Sequence, residues 1–257
     1  MASVLVTGPA GTLGSALIPK LMARGHDVRV LVHATTVDYL PVVQVFSGDV
    51  RSGTGLHQAV AGVDAVIHAA TSPFRRARVT EVEGTRQVVL AADSVNAHLI
   101  YPSIVGVDQI GGTYYQAKWE AEQIVQNAKR WTIQRGTQFH PMMDRMLSHY
   151  LFPATSRMAF QPLDVGEFAD QLIALVDEGP AGRVEDFGGP EVLTLREIVV
   201  ARTTATKHHT LLVRLPPIGP LRALDAGRQL CPAHARGGMT WQQWLGNNGA
   251  RFDSPKG

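Results

Sequence analysis

Dense apolar runs separated by short polar or glycine-marked breaks set the rhythm of the first half of the chain. SVLVT (Ser3–Thr7), DVRVLVH (Asp27–His33), VVQVFSGDV (Val42–Val50), DAVIHAA (Asp64–Ala70) and AHLIYPS (Ala97–Ser103) are rich in Val, Leu and Ile. They show little alternation, as expected of strands covered on both faces. Between them, apolar positions fall at helical spacing. Leu13, Ala16, Leu17, Leu21 and Met22 share one face of a helix that Gly25 would end. Further helices are predicted near Gly55–Ala61, over Thr80–Val95 and over Tyr114–Ala128, with WTIQ as a sixth strand. Strands alternating with helices imply a doubly wound parallel sheet, an α/β fold of Rossmann type.

After about Arg135 the alternation stops. RGTQFHPMMDRM and the Pro- and Gly-punctuated tail from Gly188 onward read as a small C-terminal substrate lobe. The expected division is a nucleotide-binding core over residues 1–135, with return segments at about 160–190, and a lobe made of residues 136–160 and 191–257. In open α/β sheets, ligands bind beyond the carboxyl ends of the strands.

Bulk properties narrow the classes. A chain of 257 residues can bury roughly 70–75% of its unfolded surface without staples. With 45% hydrophobic and 18% charged residues it reads as an ordinary globular protein. A net charge of +2 with scattered basic residues argues against a nucleic-acid partner. Cys231 alone permits neither an intramolecular disulfide nor a cysteine-based zinc site, and no metal is expected. MASVLVTG enters a strand with no basic leader, and no apolar run approaches the roughly 18 residues of a membrane helix. The expectation is therefore a cytoplasmic protein with no membrane partner, monomeric or homodimeric.

TGPAGTLG (Thr7–Gly14) follows the first strand and opens the first helix, with Gly8, Gly11 and Gly14 three apart. Such a loop gives a tight turn, a backbone with no Cβ near a pyrophosphate, and free N–H groups at a helix start. Gly8, Ala10, Gly11, Thr12, Leu13 and Gly14 are thus cofactor-binding candidates. Where an NAD binder usually carries an acid for the ribose, this chain has VLVHATTV. Lack of that carboxylate favours NADP(H), with NAD(H) the alternative. The usual Arg is also missing there, leaving His33, Thr35 and Thr36 as phosphate contacts. Asp49 either accepts from the adenine amino group, with Val50 beside it, or caps a helix. Ala69, Ala70 and Thr71 end the fourth strand with residues small enough for the cofactor ribose.

TGPAGTLG, GDV, VIHAA, SIVGVD, YYQAK and WTIQRGTQFH, in that order, resemble the atypical short-chain dehydrogenase/reductases, and more narrowly the NmrA-like, NAD(P)-binding branch with extended-type topology. The resemblance extends through GGPEVLTLREI to GGMTWQQWL. It implies that Tyr114 is the general acid/base of a YxxxK pair, that Lys118 holds the nicotinamide ribose, and that Ser103 donates to the substrate oxygen. Tyr114 and Lys118 share a helix face at i,i+4, so Lys118 could draw the phenol toward its ionised form. Related extended enzymes often carry Asn in an NVxGT-like run where this chain has EVEGT, with Glu81 in its place. Some NmrA-like proteins bind NADP as sensors without turnover.

Gln138, Phe139 and His140 are the candidates for lining a substrate pocket. Met142, Met143 and Met146 either wall that pocket or fill the core. Arg75, Arg76 and Arg78 either attract an anion or form a solvated loop. Trp241 and Trp244 read as an anchor for the lobe. The expected function is an NAD(P)H-dependent oxidoreductase of a small organic, aromatic or polyketide-like substrate. The alternatives are an NADP sensor and a non-redox isomerase or lyase.

Overall fold

The structure is a computed structural model that describes residues 1–33, 43–72 and 77–248. The chain divides into two compact units. The first comprises Met1–Ser103, Thr113–Arg135 and Ala169–Glu185, and the second Ile104–Gly112, Gly136–Phe168 and Asp186–Gly257.

The first unit is built on a seven-stranded sheet. Its strands are β1 (Ser3–Thr7), β2 (Asp27–Val32), β3 (Gln44–Ser47), β4 (Ala65–His68), β5 (His98–Ile104), β6 (Trp131–Gly136) and the short strand Gly182–Arg183. The spatial order is β3-β2-β1-β4-β5-β6-(Gly182–Arg183). The pairs of β1 with β2 and β4, of β2 with β3, and of β4 with β5 are all parallel. This is the Rossmann-type doubly wound arrangement, and its order reverses between β1 and β4. Val4, Leu5, Val6, Val66 and Ile67 are completely buried, which explains why these strands do not alternate. β3, at the edge, is mostly exposed and shorter than its apolar run suggests.

Helices α1 (Thr12–Ala23), α2 (Leu56–Val60), α3 (Thr85–Ser94) and α4 (Thr113–Val125) connect these strands. Helix α1 ends as its sequence predicts. Gly25 takes φ +79°, its N–H bonds the Met22 carbonyl, and the His26 N–H bonds that of Leu21. That is a Schellman motif. The segment before α3 differs from expectation: Val79–Gly84 is a π-helical turn continuous with α3. Inserted π turns are uncommon and concentrate at functional sites.

In the second unit, the helices His140–Met146, Leu195–Thr206 and Trp241–Asn247 enclose a core that includes Met143, Leu147, Ile198 and Trp241. Capping boxes start two of them, Thr194 with Glu197 and Thr240 with Gln243. Trp241 and Trp244 stack at 5.4 Å, anchoring the tail. No helix among the described residues is long and apolar enough to cross a membrane.

Candidate cofactor and active site

The glycine loop turns at Gly8, which has φ +68°. A Cβ there would lie 2.6 Å from the Ala70 Cα, so β1 and β4 can approach only around a glycine. A Cβ on Gly14 would collide with the Gly8 carbonyl and meet the Pro9 Cα at 2.7 Å. At Gly11 the nearest atom is the Gly8 oxygen at 3.3 Å, a tight contact that asks only a few tenths of an ångström of that neighbour. Gly8 and Gly14 are therefore demanded by the protein's own backbone, whereas Gly11 faces the cleft. Gly11 caps α1 without any side-chain hydrogen bond, and the first turn carries no acid. Its N–H groups and positive dipole end are suited to an anion.

The loop borders a cleft of about 190 Å³ lined by Gly8, Pro9, Ala10, Gly11, Leu31, Val32, His33, Gly48, Asp49, Val50 and Ala70. The expected cofactor residues Gly8, Ala10, Gly11, His33, Asp49, Val50 and Ala70 thus share one cavity. Thr12, Leu13 and Gly14 form the first turn of α1, with Leu13 and Gly14 buried. Ala69 and Thr71 flank Ala70, while Thr35 and Thr36 lie outside the described residues. Apolar Leu31, Val32, Val50 and Ala70, the glycine turn and the bare helix start fit the adenosine and pyrophosphate of a dinucleotide.

Arg51 is a residue the sequence pattern did not single out. Its guanidinium lies 3.2 Å from the His33 ring and bonds Asp49 at 2.7 and 3.0 Å. A guanidinium does therefore stand at the end of β2, delivered from the turn after β3. The Asp49 carboxylate also accepts from the Arg51 backbone at 2.9 Å, and hydrogen bonding to Arg51 holds its pKa below the usual carboxylate range.

The second cluster sits at the carboxyl ends of β4 and β5. Lys118 is buried and donates to the Pro102 carbonyl at 2.9 Å, one residue before Ser103. Its ammonium lies 4.1 Å above the Tyr101 ring and 3.6 Å from Glu81. Lys118 is therefore not a surface lysine; Glu120 pairs with Arg78 and Glu122 with Arg135. Arg78 is engaged in the protein's own ion pair, and Arg75 and Arg76 lie outside the described residues. The Ser103 hydroxyl is buried with no hydrogen-bond partner among the described residues. Tyr114 places its hydroxyl 2.9 Å from Thr71, not on Lys118.

This geometry corrects one expectation. Burial, reinforced by the Glu81 charge, raises the Tyr114 pKa above the usual tyrosine range. Lys118 does not draw the phenol toward ionisation, because its charge is directed at Glu81, Pro102 and Tyr101. Burial also lowers the Lys118 pKa, with Glu81 and Glu122 opposing.

The three substrate candidates separate. Within the second unit Gln138 and His140 are core residues with almost no exposed surface. His140 packs against Trp241 and Trp244 at 5.8 and 5.6 Å, and burial lowers its pKa to about 4. The ring is fully enclosed, with neither nitrogen hydrogen-bonded among the described residues. Phe139 is half-buried against Phe168. Met143 is core. Among the described residues no group of three or more His, Cys, Asp or Glu could hold a metal ion.

The profile of the NAD(P)H-binding family matches residues 8–142, just over half of the chain and the whole span from glycine loop to β6. The chain belongs to the NAD(P)H-binding family. Its fold is that of the short-chain dehydrogenase/reductases. UDP-glucose 4-epimerase of Thermus thermophilus, solved with NAD, superposes with a TM-score of 0.75 at 18% identity, over 99% of this chain and 100% of that one. WbmG of Bordetella bronchiseptica, solved with NAD and UDP, gives 0.74 at 16% identity over 98% and 95%. Among curated proteins, the 3-beta-hydroxysteroid dehydrogenase of Mycolicibacterium neoaurum is 34% identical in an alignment 101 positions long that covers 34% of this chain and 28% of that protein. A Mycobacterium tuberculosis protein, Rv2047c, is 27% identical over 101 residues, 39% of this chain and 12% of its own length. Matches to these curated relatives thus span well under two thirds of their length.

Proposed function

We propose that this protein is an NAD(P)H-dependent oxidoreductase interconverting a carbonyl and an alcohol on a small organic molecule. The observation that carries this reading is the buried Ser103 hydroxyl without a partner among the described residues. Leaving a buried hydroxyl unpaired costs about 1–3 kcal/mol, so such a group calls for a ligand atom or water to bond. It ends the strand whose preceding carbonyl anchors Lys118, and Tyr114 rests on Thr71, the residue after cleft-lining Ala70. The 3-beta-hydroxysteroid dehydrogenase relative, by its name, supports an alcohol as one side of the reaction and an apolar carbon skeleton around it.

In this reading the start of α1 holds the pyrophosphate, the cleft around Val50 and Ala70 holds the adenosine, and Lys118 reaches the nicotinamide ribose. The bound nicotinamide supplies or takes the hydride. Ser103 donates to the substrate oxygen, and Tyr114, a neutral phenol with a raised pKa, exchanges the proton with it. Such positioned acid/base help is worth roughly 10²–10⁴ in rate. His33 and Arg51 favour NADP(H), because a guanidinium can pair a 2′-phosphate with two hydrogen bonds. A dinucleotide-binding sensor is the competing reading; the pairing of Lys118 with Glu81 favours it, since that lysine does not activate Tyr114.

Nicotinamide absorbance separates the two. Purified protein is mixed with NADPH or NADH and a panel of aromatic and alicyclic ketones, and with NADP⁺ and the matching alcohols. The expected result is NADPH oxidation that falls at least about 100-fold in Tyr114→Phe. Tight NADPH binding without turnover of any ketone or alcohol would leave the sensor reading in its place.

A further inference from the structure

Position 81 carries Glu where the extended enzymes this chain resembles often carry Asn. Glu81 is completely buried in the π turn. Its Oε1 accepts from the Thr71 hydroxyl at 2.6 Å and from the Ser72 backbone at 3.1 Å. Its Oε2 faces the Tyr101 hydroxyl at 3.4 Å and Lys118 at 3.6 Å. A carboxylate only accepts, so the single proton of the Thr71 hydroxyl is committed to Glu81. The Thr71 oxygen then accepts from Tyr114, and the chain of hydrogen bonds has a direction, Tyr114 to Thr71 to Glu81. With its own proton given to Thr71, the phenol has lone pairs left to receive another.

We infer that Glu81, acting through Thr71, is the proton acceptor that enables Tyr114 to deprotonate a substrate alcohol. The inference rests on the oxidoreductase reading above. As the alcohol O–H bond breaks, its proton passes to the Tyr114 oxygen, the Tyr114 proton to Thr71, and the Thr71 proton to Glu81. A bound oxidised nicotinamide would take the hydrogen of the C–H bond with its electron pair, leaving the carbonyl. One proton remains on Glu81, and reduction reverses every transfer. Thr71 and Glu81 are positioning residues in this scheme; of the three, Tyr114 alone meets the substrate.

Two measurements test it, using the full-length protein. In the first, Tyr114 is followed by NMR of ¹³Cζ-labelled tyrosine without cofactor, its resonance assigned with Tyr114→Phe. Thr71→Val should shift that resonance and Thr71→Ser should return it toward the wild-type position. In the second, alcohol oxidation with NADP⁺ is measured in mixtures of light and heavy water, using the most active alcohol of the panel. The wild type should give a curved proton inventory, with more than one proton in motion. Thr71→Val should lose at least about 10-fold in kcat and give a linear inventory, and Thr71→Ser should recover both. Thr71 is exposed, so these variants avoid the folding risk of Glu81→Gln, which should lose activity similarly while binding NADPH within about 3-fold of wild type. An unmoved Tyr114 resonance, or a Thr71→Val enzyme with wild-type rate and inventory, overturns the relay while leaving the oxidoreductase reading intact. A wild type inert toward every ketone and alcohol removes both.

Discussion

Gly11 and Gly14, one helical turn apart, illustrate how differently two residues of one motif are constrained. Alanine at Gly14 would drive a Cβ into backbone atoms of Gly8 and Pro9, which cannot move aside as a side chain can. Alanine at Gly11 needs only a few tenths of an ångström from the Gly8 oxygen. Gly14→Ala is therefore expected to lose about 1–3 kcal/mol of stability or more, together with cofactor binding. Gly11→Ala should keep most of its stability and lose NADPH affinity. Urea denaturation and NADPH fluorescence titration, run on both variants, check this; equal loss of stability in the two would contradict the division. The glycines were legible in the sequence because their spacing reports a local turn. The role of Glu81 was not. Its replacement of Asn was visible, but its partners Thr71, Tyr101 and Lys118 come together only when β4, β5 and α4 are assembled.

At the scale of elements, strands buried on both faces announce themselves by unbroken apolar runs, so β1, β2, β4 and β5 were readable nearly to their ends. The π turn before α3 was not, since a single widened turn leaves the apolar spacing almost unchanged. Nor were the two-residue strands Ala159–Phe160 and Leu193–Thr194, which exist only through pairing with each other. Arg51 was missed for a similar reason. It follows β3, yet it acts at the end of β2 because the two strands lie side by side. That placement predicts that Arg51→Ala weakens NADPH binding about 10-fold or more while changing NADH binding less, as a phosphate-pairing hydrogen bond would. Comparative titration with the two dinucleotides decides it, and equal weakening of both would assign Arg51 to holding Asp49 alone.

The molecule as a whole carries an acid sensitivity. Burial lowers His68 to about 3 and His98 and His140 to about 4 from an ordinary value of 6.5. His68 is held neutral between the Thr7 and Thr85 hydroxyls and His98 against Thr132. Between pH 6.5 and about 4 the unfolded chain binds protons at these rings while the folded chain does not. Stability is therefore full above about pH 6.5 and falls as the pH drops through that window, by up to about 1.4 kcal/mol per pH unit for each histidine. Urea midpoints should hold level above about pH 6.5 and decline from there to about pH 5; a flat profile would mean that these rings accept protons in place. The division of the chain has a different kind of consequence. The polypeptide passes from one compact unit to the other five times, at residues 103, 112, 135, 168 and 185. No single cut can release either unit as a continuous piece, so a gene fragment ending at any of these points encodes parts of a body whose remainder lies farther along the chain.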